Sequence, residues 1–243
     1  MMQKSRNYST MLIVGVLFLG IFSSCLEESY VDRRAYGDAL IRAYLQGDSI
    51  VYNVQLYTYS SHPMEEVTVN TKSNPQQVIE LDSLQNRFTF ARIPNRTTYT
   101  TSIPEADHYY FDVVYGDDDD LRVSDYLDST VIFPPMISEL RWDSELEYII
   151  LKWRKVFKAQ YYKVLLLDDK DNLLFESELL ENTQMQYDIG KFTYGWYSGK
   201  QPTDATQLKV VVNAYLFEPV LSTFDIQCIS TNDQHMVDWW LFE

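Results

Sequence analysis

Ser49-Ile-Val-Tyr-Asn-Val-Gln-Leu-Tyr-Thr-Tyr59 puts Ile50, Tyr52, Val54, Leu56 and Thr58 on one side of an extended backbone. Side chains alternate sides along a strand, so this period of two reads as a β-strand with one face on a core. The same rhythm recurs outward from it. Glu66-Val-Thr-Val-Asn70, Gln77-Val-Ile-Glu-Leu81, Arg87-Phe-Thr-Phe-Ala91 and Asp107-His-Tyr-Tyr-Phe-Asp-Val-Val-Tyr115 follow in order, and Ala39 to Leu45 precedes it, written as a strand although it also fits a short helix. Asn74-Pro75 and Ile93-Pro94-Asn95 supply turns between them.

At Phe133-Pro-Pro-Met136 two residues without a backbone N–H interrupt the pattern, which marks an extended connection and a domain boundary. Beyond it come Ile137–Trp142, Tyr148–Trp153, Tyr161–Leu167, Leu173–Glu176, Met185–Ile189, Leu208–Ala214 and Ser222–Ile229. Seven short strands with turns between them predict a sandwich. Asp168-Asp-Lys-Asp-Asn172 reads as a hairpin turn, because Asx residues tolerate unusual backbone angles.

The stretch 134–230 resembles a fibronectin type III domain. Pro134-Pro135, the strand ending in Leu151-Lys-Trp153, the following Tyr162-Lys-Val-Leu and the run Leu208-x-Val-x-Val-x-Ala214 correspond to its strands A, B, C and F. Leu208 stands where that family has its corner tyrosine, and Phe192 to Ala205 is a long insertion between strands E and F. Residues 38–132 have the same rhythm and look like a second, immunoglobulin-like or fibronectin-like module. The expected fold class is therefore all-β, two tandem immunoglobulin-like or fibronectin type III-like sandwiches, at 38–132 and 133–243.

A different signal precedes them. Lys4 and Arg6 lead into the apolar run Met11 to Phe22, followed by Ser23 and Ser24, the charged, apolar and small-residue order of a secretory signal. The run is too short to cross a bilayer as a stable helix. Phe22-Ser-Ser-Cys25 resembles the lipobox of bacterial lipoproteins, with Phe22 in place of the usual aliphatic residue. The resemblance implies cleavage after residue 24, acylation of Cys25 and a lipid-anchored tether over 25–37. Several acyl chains on one cysteine make a lasting anchor. Leu26 is not the aspartate that retains lipoproteins at the inner membrane, and Glu27-Glu28 resembles acidic export signals of some Gram-negative anaerobes. These imply an outer-membrane protein displayed at the cell surface.

Charge and composition narrow the partners. The 243 residues carry 20 Lys and Arg against 35 Asp and Glu, a net charge of −15, which repels phosphate backbones and excludes nucleic acid. With 2 Cys, one assigned to lipid, no intrachain disulfide forms, and Cys228 reads as a buried small hydrophobe. Three scattered histidines, at His62, His108 and His235, give no metal or catalytic pattern. Hydrolase, metalloprotease and P-loop signatures are missing from the sequence, so a non-catalytic protein without a cofactor is expected.

Three features remain as candidate sites. The run Asp117, Asp118, Asp119 and Asp120, with Asp112, Asp125 and Asp128 nearby, offers carboxylates for calcium, although the spacing suits a solvated turn better. Phe192-Thr-Tyr-Gly-Trp-Tyr-Ser-Gly199 carries Tyr194, Trp196 and Tyr197 as ring faces for a glycan, anchors for a protein partner, or a cap over the core. The C-terminal Trp239-Trp-Leu-Phe242 either packs into the domain or docks a partner. Asp48-Ser-Ile, Asp82-Ser-Leu and Asp128-Ser-Thr resemble an O-glycosylation sequon of Gram-negative anaerobes. The function that fits is a binding or assembly module at the envelope, contacting an envelope protein or a glycan; the alternative is an accessory lipoprotein for polysaccharide capture.

Overall fold

The structure is a computed structural model that describes residues 33–116, 120–203, 205–219 and 225–239. The leader, Cys25, the three aspartates Asp117, Asp118 and Asp119, and Trp240 to Phe242 lie outside the described residues. Among the described residues the chain is all-β, with a single 3-10 turn at Arg96–Thr98.

The first strands are β1 (Ala35–Gln46), β2 (Ser49–Ser60), β3 (Glu66–Thr71), β4 (Ile79–Glu80), β5 (Asp82–Ser83), β6 (Thr89–Arg92), β7 (Asp107–Val114) and β8 (Asp120–Leu127). They are followed by β9 (Ile137–Asp143), β10 (Tyr148–Trp153), β11 (Tyr161–Leu167), β12 (Leu173–Glu176), β13 (Leu180–Glu181), β14 (Gln186–Gly190), β15 (Thr206–Phe217) and β16 (Ile226–Trp239). The ambiguous stretch Ala39 to Leu45 is strand, because Ala39, Ile41 and Ala43 fall on one buried face. Strand β4 is shorter than its sequence pattern, and Val78 is exposed. The Asp168–Asn172 turn closes as expected, with Asp168 N–H donating to Asn172 O at 3.0 Å and Asp171 at φ 61°.

Three sheets build the molecule. A three-stranded sheet has the order β14-β10-β9, and a four-stranded sheet the order β4-β3-β7-β8. The largest has nine strands in the order β12-β11-β15-β16-β1-β2-β6-β5, with β13 also paired to β11. The four-stranded sheet covers one half of it. Gly37 on β1 lies so close to Phe111 on β7 that an added Cβ would sit 2.4 Å from the ring. The three-stranded sheet covers the other half, where Trp153 packs edge-on to Tyr162 at 5.4 Å and Trp142 lies 5.0 Å from Trp239.

The expected boundary at 132/133 lies on the extended connection through Pro134-Pro135, but Ala35–Glu243 forms one compact unit, and residues 35–37, expected in the tether, already belong to β1 because Ala35 is buried and Gly37 packs on Phe111. The structure adds what the linear reading of separate modules lacked: the larger sheets of both sandwiches are one sheet. Ile41 to Tyr44 of β1 pair in parallel with Cys228 to Thr231 of β16. The connection itself is tied to β16, since Gln227 Nε2 donates to Asp128 O and Thr130 O, and Asn232 Nδ2 to Pro135 O. Buried apolar side chains from both halves form one continuous cluster.

Cys228 sits in this shared region, fully buried and free, and burial pushes its thiol up to about 11. Trp239 ends β16 and is also fully buried, so the first residue of the apolar C-terminal run packs into the domain.

All five tryptophans lie after residue 141, so their fluorescence reports only the second half. Gly37→Ala, in the first half, overpacks Phe111 and should destabilise by about 1–3 kcal/mol. Because the sheet is shared, we expect the urea midpoint followed by tryptophan fluorescence to fall as far as that followed by far-UV circular dichroism. An unmoved fluorescence midpoint would mean that the halves unfold independently.

Candidate functional site

The loop after β14 carries the aromatic candidates, and its backbone is fixed at both ends. Thr193 Oγ1 accepts from Gly190 N–H at 2.8 Å, and Thr193 N–H returns to Gly190 O at 3.2 Å. Further on, Glu176 N–H donates to Gly195 O and Tyr197 N–H to Leu174 O, both at 3.0 Å. The loop therefore continues the hydrogen-bond ladder beyond β12 and covers the edge of the large sheet, which would otherwise present unpaired groups. Gly195 makes this close approach possible. It adopts φ 126°, and a Cβ there would lie 2.3 Å from Glu176 O.

This backbone separates the three predicted rings into different roles. Trp196 turns inward: its ring is edge-on to Phe175 and to Trp239, each at 5.2 Å, and its Nε1 donates to Gly190 O at 2.9 Å. It caps the core. Tyr197 is half exposed, and its hydroxyl donates to Glu176 Oε2 at 2.7 Å. Tyr194 is 87% exposed, and Phe192, which sequence reasoning included in the loop but not among the contact residues, is 92% exposed. With Glu176, Glu178 and Lys191 they line a cleft of about 610 Å³. Glu176 also pairs with Lys163; burial pushes its carboxyl up, but the Lys163 and Tyr197 donors outweigh this and hold it below the usual glutamate range.

The acidic run falls largely outside the described residues. Of its four members, Asp117, Asp118 and Asp119 lie outside those residues, and Asp120 is exposed and opens β8, opposite Val114 across a β-hairpin. Asp112 is held by Arg122, whose Nε and Nη2 reach the two carboxylate oxygens at 2.6 and 2.7 Å. The stretch after the run is strand rather than loop, because Leu121, Val123 and Leu127 turn towards the core. Asp128 accepts from Thr130 N–H at the end of the hairpin. Asp112, Asp125 and Asp128 therefore do not converge on Asp120.

Asp125 instead reaches the unpaired edge of β1, where its Oδ2 accepts from the buried Ala39 N–H at 2.8 Å. There it meets Asp38 and Glu218, with ligand oxygens of all three within 4.8 Å of one another. Asp38 Oδ1 and Glu218 Oε1 are buried with no hydrogen-bond partner among the described residues. Burial, joined by the charges of Asp125 and Asp225, pushes Asp38 up to about 8, and burial with the same two neighbours and Asp128 pushes Glu218 up to about 7. Asp125 is raised as well, chiefly by burial. Shared protons or a bound cation are the two chemical ways to quiet such a group. Sequence spacing could not reveal it, since its members come from β1, β8 and the segment after β15.

The serines of the three sequon-like motifs, Ser49, Ser83 and Ser129, are all exposed. No helix among the described residues is long and apolar enough to cross a membrane.

No protein-family model matches the chain, and no curated protein matches it either. Among solved structures the chain is similar to one described as "Biofilm associated protein - BSP domain", at 11% identity and a TM-score of 0.23. The match covers 83% of this chain and 29% of that one, so this chain spans less than a third of its length.

Two outcomes follow from this geometry. Trp196→Ala should lower stability by about 3 kcal/mol in urea denaturation, whereas Tyr194→Ala should stay within about 0.5 kcal/mol of the parent. In the acidic group the folded-state pKa values lie above those of the unfolded chain, so the fold holds protons that the unfolded chain releases. Stability should fall as pH rises from about 4 to about 8. Asp38→Asn should flatten that slope and gain at least about 1.4 kcal/mol at the upper end, the worth of one pKa unit. A slope unchanged by Asp38→Asn, in thermal melts across that range, would contradict the assignment.

Proposed function

We propose that the chain is a non-catalytic, lipid-anchored module of the outer membrane that binds or assembles with a partner through the aromatic loop. The carrying observation is the display of Phe192 and Tyr194, almost wholly exposed, on a backbone held at Gly190, Gly195 and Tyr197. Large rings left in water on a loop pinned by Trp196 form a preorganised contact surface, and such rings are favoured anchors at interfaces. The leader and Cys25 supply the anchor in this reading, and residues 25–34, ahead of β1, form the tether.

The strand order of residues 133–243, β14-β10-β9 against β12-β11-β15-β16, supports the fibronectin type III-like reading of that half. In such sandwiches the loops gathered at the ends carry recognition, while the sheets hold them in place. The carbohydrate-capture alternative is favoured by one feature of the cleft. Glu176, Glu178 and Lys191 surround the exposed rings, so hydroxyl groups and ring faces of a sugar would both be met.

The test compares the parent with a Phe192→Ala/Tyr194→Ala double variant, both displayed on cells through Cys25. Photo-crosslinking to envelope proteins and a glycan panel are read in parallel, with a Cys25→Ala control. We expect the double variant to lose at least tenfold of whichever signal the parent gives, with its melting temperature unchanged. Equal signals from parent and variant would overturn the assignment of this loop, and protease resistance of the body in intact cells would overturn surface display.

A further inference from the structure

A second site lies on the outer face of the nine-stranded sheet, the face turned away from both smaller sheets. Tyr162, Val164 and Leu166 of β11 are buried inward, as are Val210 and Val212 of β15 and Ile41 and Ala43 of β1. Strand alternation therefore sends Leu165, Lys209, Asn213, Arg42 and Tyr44 outward. Together with Thr231 of β16 they line a groove of about 680 Å³. It crosses four adjacent strands, β11, β15, β16 and β1, a span of roughly 14 Å at the usual strand spacing. That is the length of a short oligosaccharide.

The groove is basic in a chain of net charge −15. Arg96 pairs with Asp233 and lies 3.5 Å above the Tyr44 ring. Lys209 pairs with Asp171 at 2.9 Å and reaches Asp233 at 3.7 Å. Three cations thus meet two carboxylates, and the one unmatched among the described residues is Arg42. Its Nη2 donates only to neutral oxygens, Tyr44 Oη at 2.7 Å and Thr231 Oγ1 at 3.2 Å. Its Nε is buried with no hydrogen-bond partner among the described residues. Thr231 in turn donates to Asn213 Oδ1 at 2.6 Å, which fixes the oxygen that Arg42 uses. A half-buried guanidinium without a counter-ion is costly, and its planar fork matches a carboxylate.

We propose that this groove binds an acidic saccharide, its uronate carboxylate on Arg42. Asp171 and Asp233 accept hydrogen bonds from ring hydroxyls, and Leu165 offers apolar surface to ring C–H faces. Sugar hydroxyls can donate to these two aspartates, whereas the carboxylate side chains of an acidic peptide have no donor to offer them, which favours a saccharide. The site is separate from the aromatic loop and stands whether or not that loop binds a partner.

The probe is trigalacturonate, titrated calorimetrically into the full chain in detergent, with neutral trigalactose and triglutamate as comparators. We expect trigalacturonate to bind at least tenfold more tightly than either comparator. Arg42→Gln should weaken it at least tenfold. Leu167→Glu, which adds a negative charge at the groove wall and leaves Arg42 in place, should do the same and decides the matter if Arg42→Gln does not fold. No binding of trigalacturonate at millimolar concentration, equal binding by the folded variants, or equal binding of trigalactose would each overturn the proposal. Preferential binding of triglutamate would replace it with an acidic-peptide site.

Discussion

The whole architecture depends on four residues of the first strand lying parallel to four of the last. Ile41 and Ala43 of β1 face the interior beside Cys228 and Ser230 of β16, all fully buried. Three of the four are small, so the sheets can continue into one another without a ridge between the two cores. Parallel strands need a crossover connection, and here the crossover is nearly the whole chain. The nine-stranded sheet is incomplete until β16 has been made and has returned to β1. Contacts this distant in sequence carry a high loop-closure cost and slow folding.

The site geometry follows from where this pairing begins. Residues 35–40 of β1 pair only with β2, so their other edge is open until β16 arrives at Ile41. Asp125 closes part of that edge through Ala39 N–H, and Asp38 and Glu218 are brought against it. The result is a buried acidic group at one end of the seam. At the other end the same pairing sets Arg42 beside Thr231 and Asn213, and a basic groove results. The aromatic loop is independent of the seam. It is placed by the opposite margin of the sheet, where β12 needs a cover.

Elements with a marked face and marked ends were legible. Strands β10, β11 and β12 begin and end where the sequence put them: β11 alternates cleanly, and β10 and β12 are short apolar runs with polar residues at their ends. Strand β8 was hidden because its outward face, Asp120, Arg122, Ser124 and Tyr126, merges with the acidic run before it. Strand β16 is longer than its pattern because register shifts and the polar run Thr231 to Gln234 break the period. The roles of Trp196 and Tyr194 were not separable in sequence, since only the distant Trp239 and Phe175 distinguish an inward ring from an outward one. The seam, the acidic group and the groove left no local pattern at all. Each is made from residues that approach one another only through pairing of remote strands.

A parallel pair of four residues could slip, and a one-residue slip would turn Arg42 and Tyr44 into the core and Ile41 and Ala43 out to water. The polar groups along the seam act against this. Gln234 Nε2 donates to Leu45 O, Arg96 reaches Asp233, and Arg42 reaches Thr231, each bond joining one half to the other. Gln227 and Asn232 fix the interdomain connection from the same strand. The seam bonds fix the register by their geometry, and losing the buried bond of Asn232 would leave a buried polar group unpaired, which is destabilising. Apolar burial therefore holds the two sandwiches together, and the polar residues choose the alignment that creates both the acidic group and the groove.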